Sequence, residues 1–176
     1  MRLGGMTDCF QPMEEKMRVT REAIRLLNAR GIGYLIVTKS DLVCEYMRIL
    51  DKSLAHIQIS TTWIPCEKAV STERRIEAIE RLEREGFDTA VRLSPYLPQF
   101  VDFDRLNGIK CRKILVEFLR VNHWIKKWLP LEKKIEALAK ITGFDEVSVC
   151  EDVTKHFEYW RECVNYNKED CCNLRQ

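Results

Sequence analysis

The sequence predicts an α/β fold built on parallel strands. Three observations carry this reading: short apolar runs too brief for typical helices, amphipathic segments between them, and polar punctuation after each run. Strand and helix in alternation imply a parallel sheet with right-handed crossovers.

An opening strand is expected to end near Arg2-Leu3-Gly4-Gly5. Thr20 is placed to cap a helix running to Arg30, with Ala23, Ile24, Leu26 and Leu27 on its inner side and Gly31 after its end. Gly33–Lys39 is the next strand, rich in large apolar residues. A shorter helix over Leu42–Leu50 buries Leu42, Tyr46 and Leu50. A strand follows over Ala55–Ser60. The clearest helix covers Ser71–Glu85. Ser71 or Thr72 caps it, Ile76, Ile79 and Leu82 form its stripe, Arg and Glu fill its outer face, and Gly86 ends it. Further strands lie over Asp88–Ser94 and Lys113–Leu119, giving at least five in all.

Length and composition set bounds. A chain of 176 residues can bury one good core, and 45% hydrophobic with 32% charged residues is ordinary for a globular protein. A net charge of +2 gives no global field toward nucleic acid or a membrane. No apolar run reaches the roughly 20 residues of a membrane span. Met1–Gly5 opens directly into a structured-looking segment rather than a secretory leader, so the expected location is cytoplasmic. The eight cysteines are therefore read outside a disulfide framework, with Cys44 and Cys111 acting as small hydrophobes.

The polar residues recur at one place. The strands finish on Thr7-Asp8, Thr38-Lys39-Ser40, Ser60-Thr61-Thr62, Arg92-Leu93-Ser94, and Glu117 with Arg120. Ligands bind at the carboxyl ends of parallel strands, where the loops converge. Any one of these residues could be a solvated turn residue; five successive strand ends argue for a single polar mouth.

Taken in order, these segments resemble the radical S-adenosylmethionine (SAM) superfamily, within it the group of spore photoproduct lyase and DNA-repair photolyase-like proteins. The residues that carry the resemblance are Gly4-Gly5-Met6-Thr7-Asp8, Gln11-Pro12, Glu14, Thr20-Arg21-Glu22, Val37-Thr38-Lys39-Ser40, Ile57-Gln58-Ile59-Ser60 and Val91-Arg92-Leu93-Ser94-Pro95, over roughly Met1 to Leu119. The resemblance implies a partial (β/α) TIM-type barrel over 1–125, lacking its first βα unit, and a mostly helical, Cys-rich C-terminal extension over 126–176 packed on it. It implies SAM binding by Gly4, Gly5, Thr7 and Asp8 at the amino group, by Lys39 at the carboxylate, by Ser60 near the methionyl or ribose part, and by Arg92 at the carboxylate or substrate. A carboxylate suits an ammonium, which only donates, and a lysine suits a carboxylate.

The resemblance also demands a [4Fe–4S] cluster on three closely spaced cysteines, and no Cys-x3-Cys-x2-Cys occurs here; Cys9 stands alone. The expectation is a chain completed by an N-terminal partner or segment. The completed enzyme would cleave SAM reductively to a 5′-deoxyadenosyl radical, with photoproduct repair as the associated chemistry. The competing reading is a non-catalytic barrel remnant that holds a nucleotide or nucleic acid.

Eight basic and two acidic residues lie between Lys110 and Lys134, with His123, Trp124 and Trp128 among them. They could track a phosphate backbone, although two tryptophans four apart suit one helix face equally well. A helix over Leu131–Ile141, with Ile135, Leu138 and Ala139 inward, a strand over Glu146–Cys150, and a helix over Asp152–Cys163 complete the expected elements. Cys150, His156, Cys163, Cys171 and Cys172 are of metal-ligand type but lack the paired spacing of structural zinc sites, so packing is the favoured role.

Overall fold

The computed structural model describes residues 1–4, 7–65, 67–118 and 137–149. The element order is β1 (Arg2–Leu3), α1 (Glu14–Met17), α2 (Val19–Ala29), β2 (Tyr34–Thr38), a 3-10 helix (Asp41–Tyr46), β3 (Ala55–Ser60), α3 (Thr72–Arg84), β4 (Asp88–Tyr96), α4 (Phe103–Asn107), β5 (Lys113–Phe118) and β6 (Glu146–Val149). The six strands form one sheet in the order β1-β2-β3-β4-β5-β6, and every neighbouring pair is parallel. The sheet therefore runs past residue 125: β6 belongs to the segment expected as an extension, and it pairs with β5 from Lys113↔Glu146 to Val116↔Val149. The expected features at Gly5, Arg120, residues 119–136 of the basic segment and its helix, and everything from Cys150 onward lie outside the described residues.

Successive strand residues face opposite sides of a sheet, and here the two sides differ in chemistry. Tyr34 and Ile36, Ile57 and Ile59, Val91 and Leu93, Ile114 and Val116, and Val147 and Val149 share one core with Ile24 and Leu27 of α2 and Ile76, Ile79 and Leu82 of α3. The alternate residues include His56, Gln58 and Ser60 on β3, Asp88 and Arg92 on β4, Lys113 and Glu117 on β5, and Glu146 and Ser148 on β6. Several of these are buried as well: Gln58, Ser60, Arg92 and Ser148. One side is packed hydrocarbon, and the other is a hydrogen-bonded polar surface.

The structure corrects several local expectations. Thr20 is not the cap of α2; the cap position falls on Arg18, in left-handed conformation. The inward stripe of α2 is Thr20, Ile24 and Leu27, at spacings of four and three. Leu26, two residues from Ile24, turns away and is 58% exposed. The helix expected over Leu42–Leu50 is a 3-10 helix over Asp41–Tyr46, although Leu42, Tyr46 and Leu50 are all buried. Ser71 caps α3 by accepting from the Arg74 N–H, and Gly86 follows it at φ 79°. Arg75 departs from the exposed face assigned to its type and is buried. Ala137–Lys140 form a 3-10 turn in which Ala137 is buried and Ala139 is exposed, reversing the expected inward residue. Cys44 and Cys111 are free and buried, as small hydrophobes should be.

Candidate functional site

The strand ends are tied into a continuous polar rim, starting at Asp8. Its carboxylate accepts from the Phe10 N–H at 2.9 Å, the Thr38 hydroxyl at 2.7 Å and the Lys39 N–H at 2.6 Å. An ionised carboxylate offers about four acceptor sites, so three of them are already filled by the protein. Asp8 thereby holds the β1 loop against the end of β2. Gly4 serves the same junction. It sits at φ 84°, and a Cβ there would lie 2.0 Å from the Val37 carbonyl oxygen, so only glycine lets β1 approach β2 this closely. Thr7 is exposed, and Gly5 lies outside the described residues.

Lys39 carries the rim onward. Its ammonium pairs with Glu67, in the loop after β3, and its side chain is 40% exposed. Glu67 also accepts from the Thr62 hydroxyl at 3.0 Å and from Arg75 at 2.8 Å. Burial alone would raise the Glu67 pKa, but the Lys39 hydrogen bond and the two cationic neighbours outweigh it and hold the group below its ordinary value. Arg75 reaches from α3 to the Ser60 carbonyl at 2.8 Å, fixing the end of β3.

Ser60 and Arg92 are register partners on β3 and β4. The Ser60 hydroxyl donates to the Ser94 carbonyl at 3.0 Å. Arg92 donates to Gln58 Oε1 at 2.6 Å and pairs with Glu117, which also accepts from the Ser94 hydroxyl at 2.6 Å. Below them Gln58 meets His56 at 3.2 Å. His56 meets Asp88 at 2.8 Å, and Lys113 bridges Asp88 and Glu146 at 3.2 and 3.7 Å. The His56 hydrogen bond is the main cause that lowers the Asp88 pKa to about 2.

Asp8 and Lys39 are thus brought together, as are Ser60 and Arg92, and the Glu67–Arg75–Ser60 bonds join the two pairs. A cavity of about 610 Å³ opens beside Asp8 and Lys39, with Ser40 and Lys68 also on its wall; Ser60 and Arg92 do not line it. Glu67, Arg75, Gln58 and His56 belong to the same network, although their chemistry was not singled out in the sequence. The alternation of polar His56, Gln58 and Ser60 with Ala55, Ile57 and Ile59 is the signal that marks β3 as two-faced. Among the described residues no group of three His, Cys, Asp or Glu side chains is arranged to hold a metal ion. Cys9 has its thiol pushed up to about 12, first by burial and then by Asp8.

Fold and site together define an α/β protein with a polar rim along the carboxyl ends of its parallel strands. No protein-family model matches the chain, and no solved structure matches it. It is similar to the uncharacterized protein MJ0683 of Methanocaldococcus jannaschii, with 26% identity over 115 residues, covering 60% of this chain and 44% of the relative. The chain thus spans less than half the length of that relative. No helix among the described residues is long and apolar enough to cross a membrane.

Proposed function

We propose that this chain is the SAM-holding part of a radical SAM enzyme, folded as a partial (β/α) barrel whose polar sheet face turns inward. The observation that supports the reading is the register pairing of Ser60 with Arg92 at the ends of β3 and β4, beside Lys39, which directly follows β2 and has its backbone N–H bonded to Asp8. Strands in strict sequence order with right-handed crossovers put every crossover on one side, and the opposite side then lines a barrel.

The donor set fits SAM. The half-exposed Lys39 ammonium suits the methionyl carboxylate, exchanging its Glu67 partner for it. Glu67, once released, is an acceptor for the amino group, and the Ser60 hydroxyl keeps acceptor capacity for a ribose hydroxyl. Arg92 acts from below: held by Gln58, it fixes the Glu117 carboxylate at the rim. Asp8 and Gly4 set the β1–β2 junction, and Asp8 also lines the cavity beside Lys39.

The described residues do not fit an iron–sulfur cluster. Cys9 is a single thiol held far from the thiolate form, and a cluster requires several converging thiolates. No step through a cluster is therefore assigned to these residues. Reductive SAM cleavage, and any photoproduct-repair chemistry, is proposed only of an assembly in which another polypeptide segment brings the cluster.

Calorimetric titration of SAM tests the reading. Lys39→Ala is expected to weaken SAM binding by about 1–3 kcal/mol, the range for a hydrogen bond to a charged group. Equal affinity in the two proteins, or no SAM binding by the folded wild type, would favour the alternative of a remnant that holds another nucleotide or a nucleic acid.

A further inference from the structure

A groove of about 500 Å³ is lined by Arg18, Arg21 and Arg48, together with Tyr46, Glu15 and Glu45. Lys39, Ser60 and Arg92 do not line it. None of the three guanidinium groups has a carboxylate within 4.0 Å among the described residues; Arg21 is half-buried, and Arg18 and Arg48 are exposed. Arg21 Nε is buried and has no hydrogen-bond partner. Arg18 stands at φ 54°, a left-handed conformation that an arginine holds only against strain and glycine takes freely.

The buried carboxylate beside the groove does not pair with this cluster. Glu14 is committed to the Thr20 and Arg21 backbone N–H groups, both at 3.0 Å, and to the Tyr46 hydroxyl at 2.8 Å. Three unpaired planar forks around one groove, one with a buried idle donor, match a tetrahedral oxyanion, which takes two N–H bonds from each fork. Glu15 and Glu45 in the same lining carry negative charge that disfavours a dense polyphosphate over a single phosphoryl group.

We propose that the Arg18–Arg21–Arg48 groove binds a phosphoryl group, carried either by a small phosphate ester or by one phosphodiester of a nucleic-acid strand. This site is independent of the SAM reading.

Thermal unfolding of the full chain in rising inorganic phosphate, against sodium chloride of equal ionic strength, is the test. A saturable rise in Tm with phosphate alone is expected, and Arg21→Lys and Arg48→Ala should each weaken it roughly tenfold, the loss of one charge-assisted fork. Arg18→Gly separates ligand binding from folding. It should raise the Tm of the free protein, by relieving the left-handed strain, while weakening phosphate binding. Lys39→Ala should leave phosphate binding unchanged. Single-stranded oligodeoxythymidylate distinguishes the sources: binding that falls steeply with salt and is lost in the same variants assigns a backbone phosphate, and saturation by phosphate without oligonucleotide binding assigns a small ester. No phosphate effect beyond the chloride control, or an effect that survives Arg21→Lys and Arg48→Ala, would overturn the proposal.

Discussion

Arg92 keeps its charge almost out of water, with 5% of its side chain exposed, and it meets Gln58 and Glu117 rather than solvent. Removing one member of such a pair strands the other, which is worse than never having had either. Glu117→Gln, measured by urea unfolding, is expected to destabilise the protein by about 2–4 kcal/mol. A loss below about 0.5 kcal/mol, the level of an ordinary surface change, would mean Arg92 is solvated or otherwise paired. Farther down the same face, Asp88 titrates at about 2 in the folded chain against an ordinary 3.8. A depressed carboxylate contributes stability that is present above its unfolded pKa and lost as pH falls through the folded one, here between about 4 and about 2. His56→Ala removes the main cause of the shift, so the loss of stability between those two pH values should shrink. Identical acid-unfolding curves for the two proteins would remove His56 from that role. These partners were not legible from the sequence, because Asp8 and Thr38, or Arg92 and Glu117, are 30 and 25 positions apart and meet only through strand register. The residue types were legible: Asp8, Lys39, Ser60 and Arg92 follow or end their apolar runs.

At the level of elements, α2 begins without a side-chain cap of its own, since Arg18 occupies the cap position. Glu14, from the preceding short helix, supplies the missing acceptor, and its carboxylate also receives the Tyr46 hydroxyl, locking α1, α2 and the 3-10 helix together. Burial would raise the Glu14 pKa, but the Thr20 and Arg21 N–H bonds and the Tyr46 hydroxyl lower it below its ordinary value. Glu14→Ala is expected to cost about 1.5–3 kcal/mol in denaturant unfolding, combining a lost cap with a buried hydroxyl left idle. A neutral substitution would show that water or another side chain caps α2. Helix and strand existence was readable because periodicity was strong: the Ala55–Ser60 run is strand over the expected residues, and Ile76, Ile79 and Leu82 of α3 are wholly buried. The pattern misassigned Arg75, because arginine on an amphipathic helix ordinarily points to water. Here the Ser60 and Thr62 carbonyls and Glu67 accept from its two terminal nitrogens and hold it buried, while its Nε has no partner.

At the scale of the molecule, the six parallel strands of the described residues, in sequence order, separate an apolar side from a polar one. The apolar side was legible as runs of Ile, Val and Leu. The polar side was less so, because its residues alternate with those runs and look like exceptions until the register aligns Ser60 with Arg92 and His56 with Asp88. That alignment turns scattered strand-end residues into one surface, and the proposed SAM site depends on it. A crystal structure of the chain grown with SAM tests this most directly. The methionyl carboxylate is expected at Lys39 Nζ, with Glu67 displaced and the ribose near Ser60, on the side of the sheet that carries Arg92. SAM bound anywhere else, or a rim in which Lys39, Ser60 and Arg92 face different sides of the sheet, would contradict it.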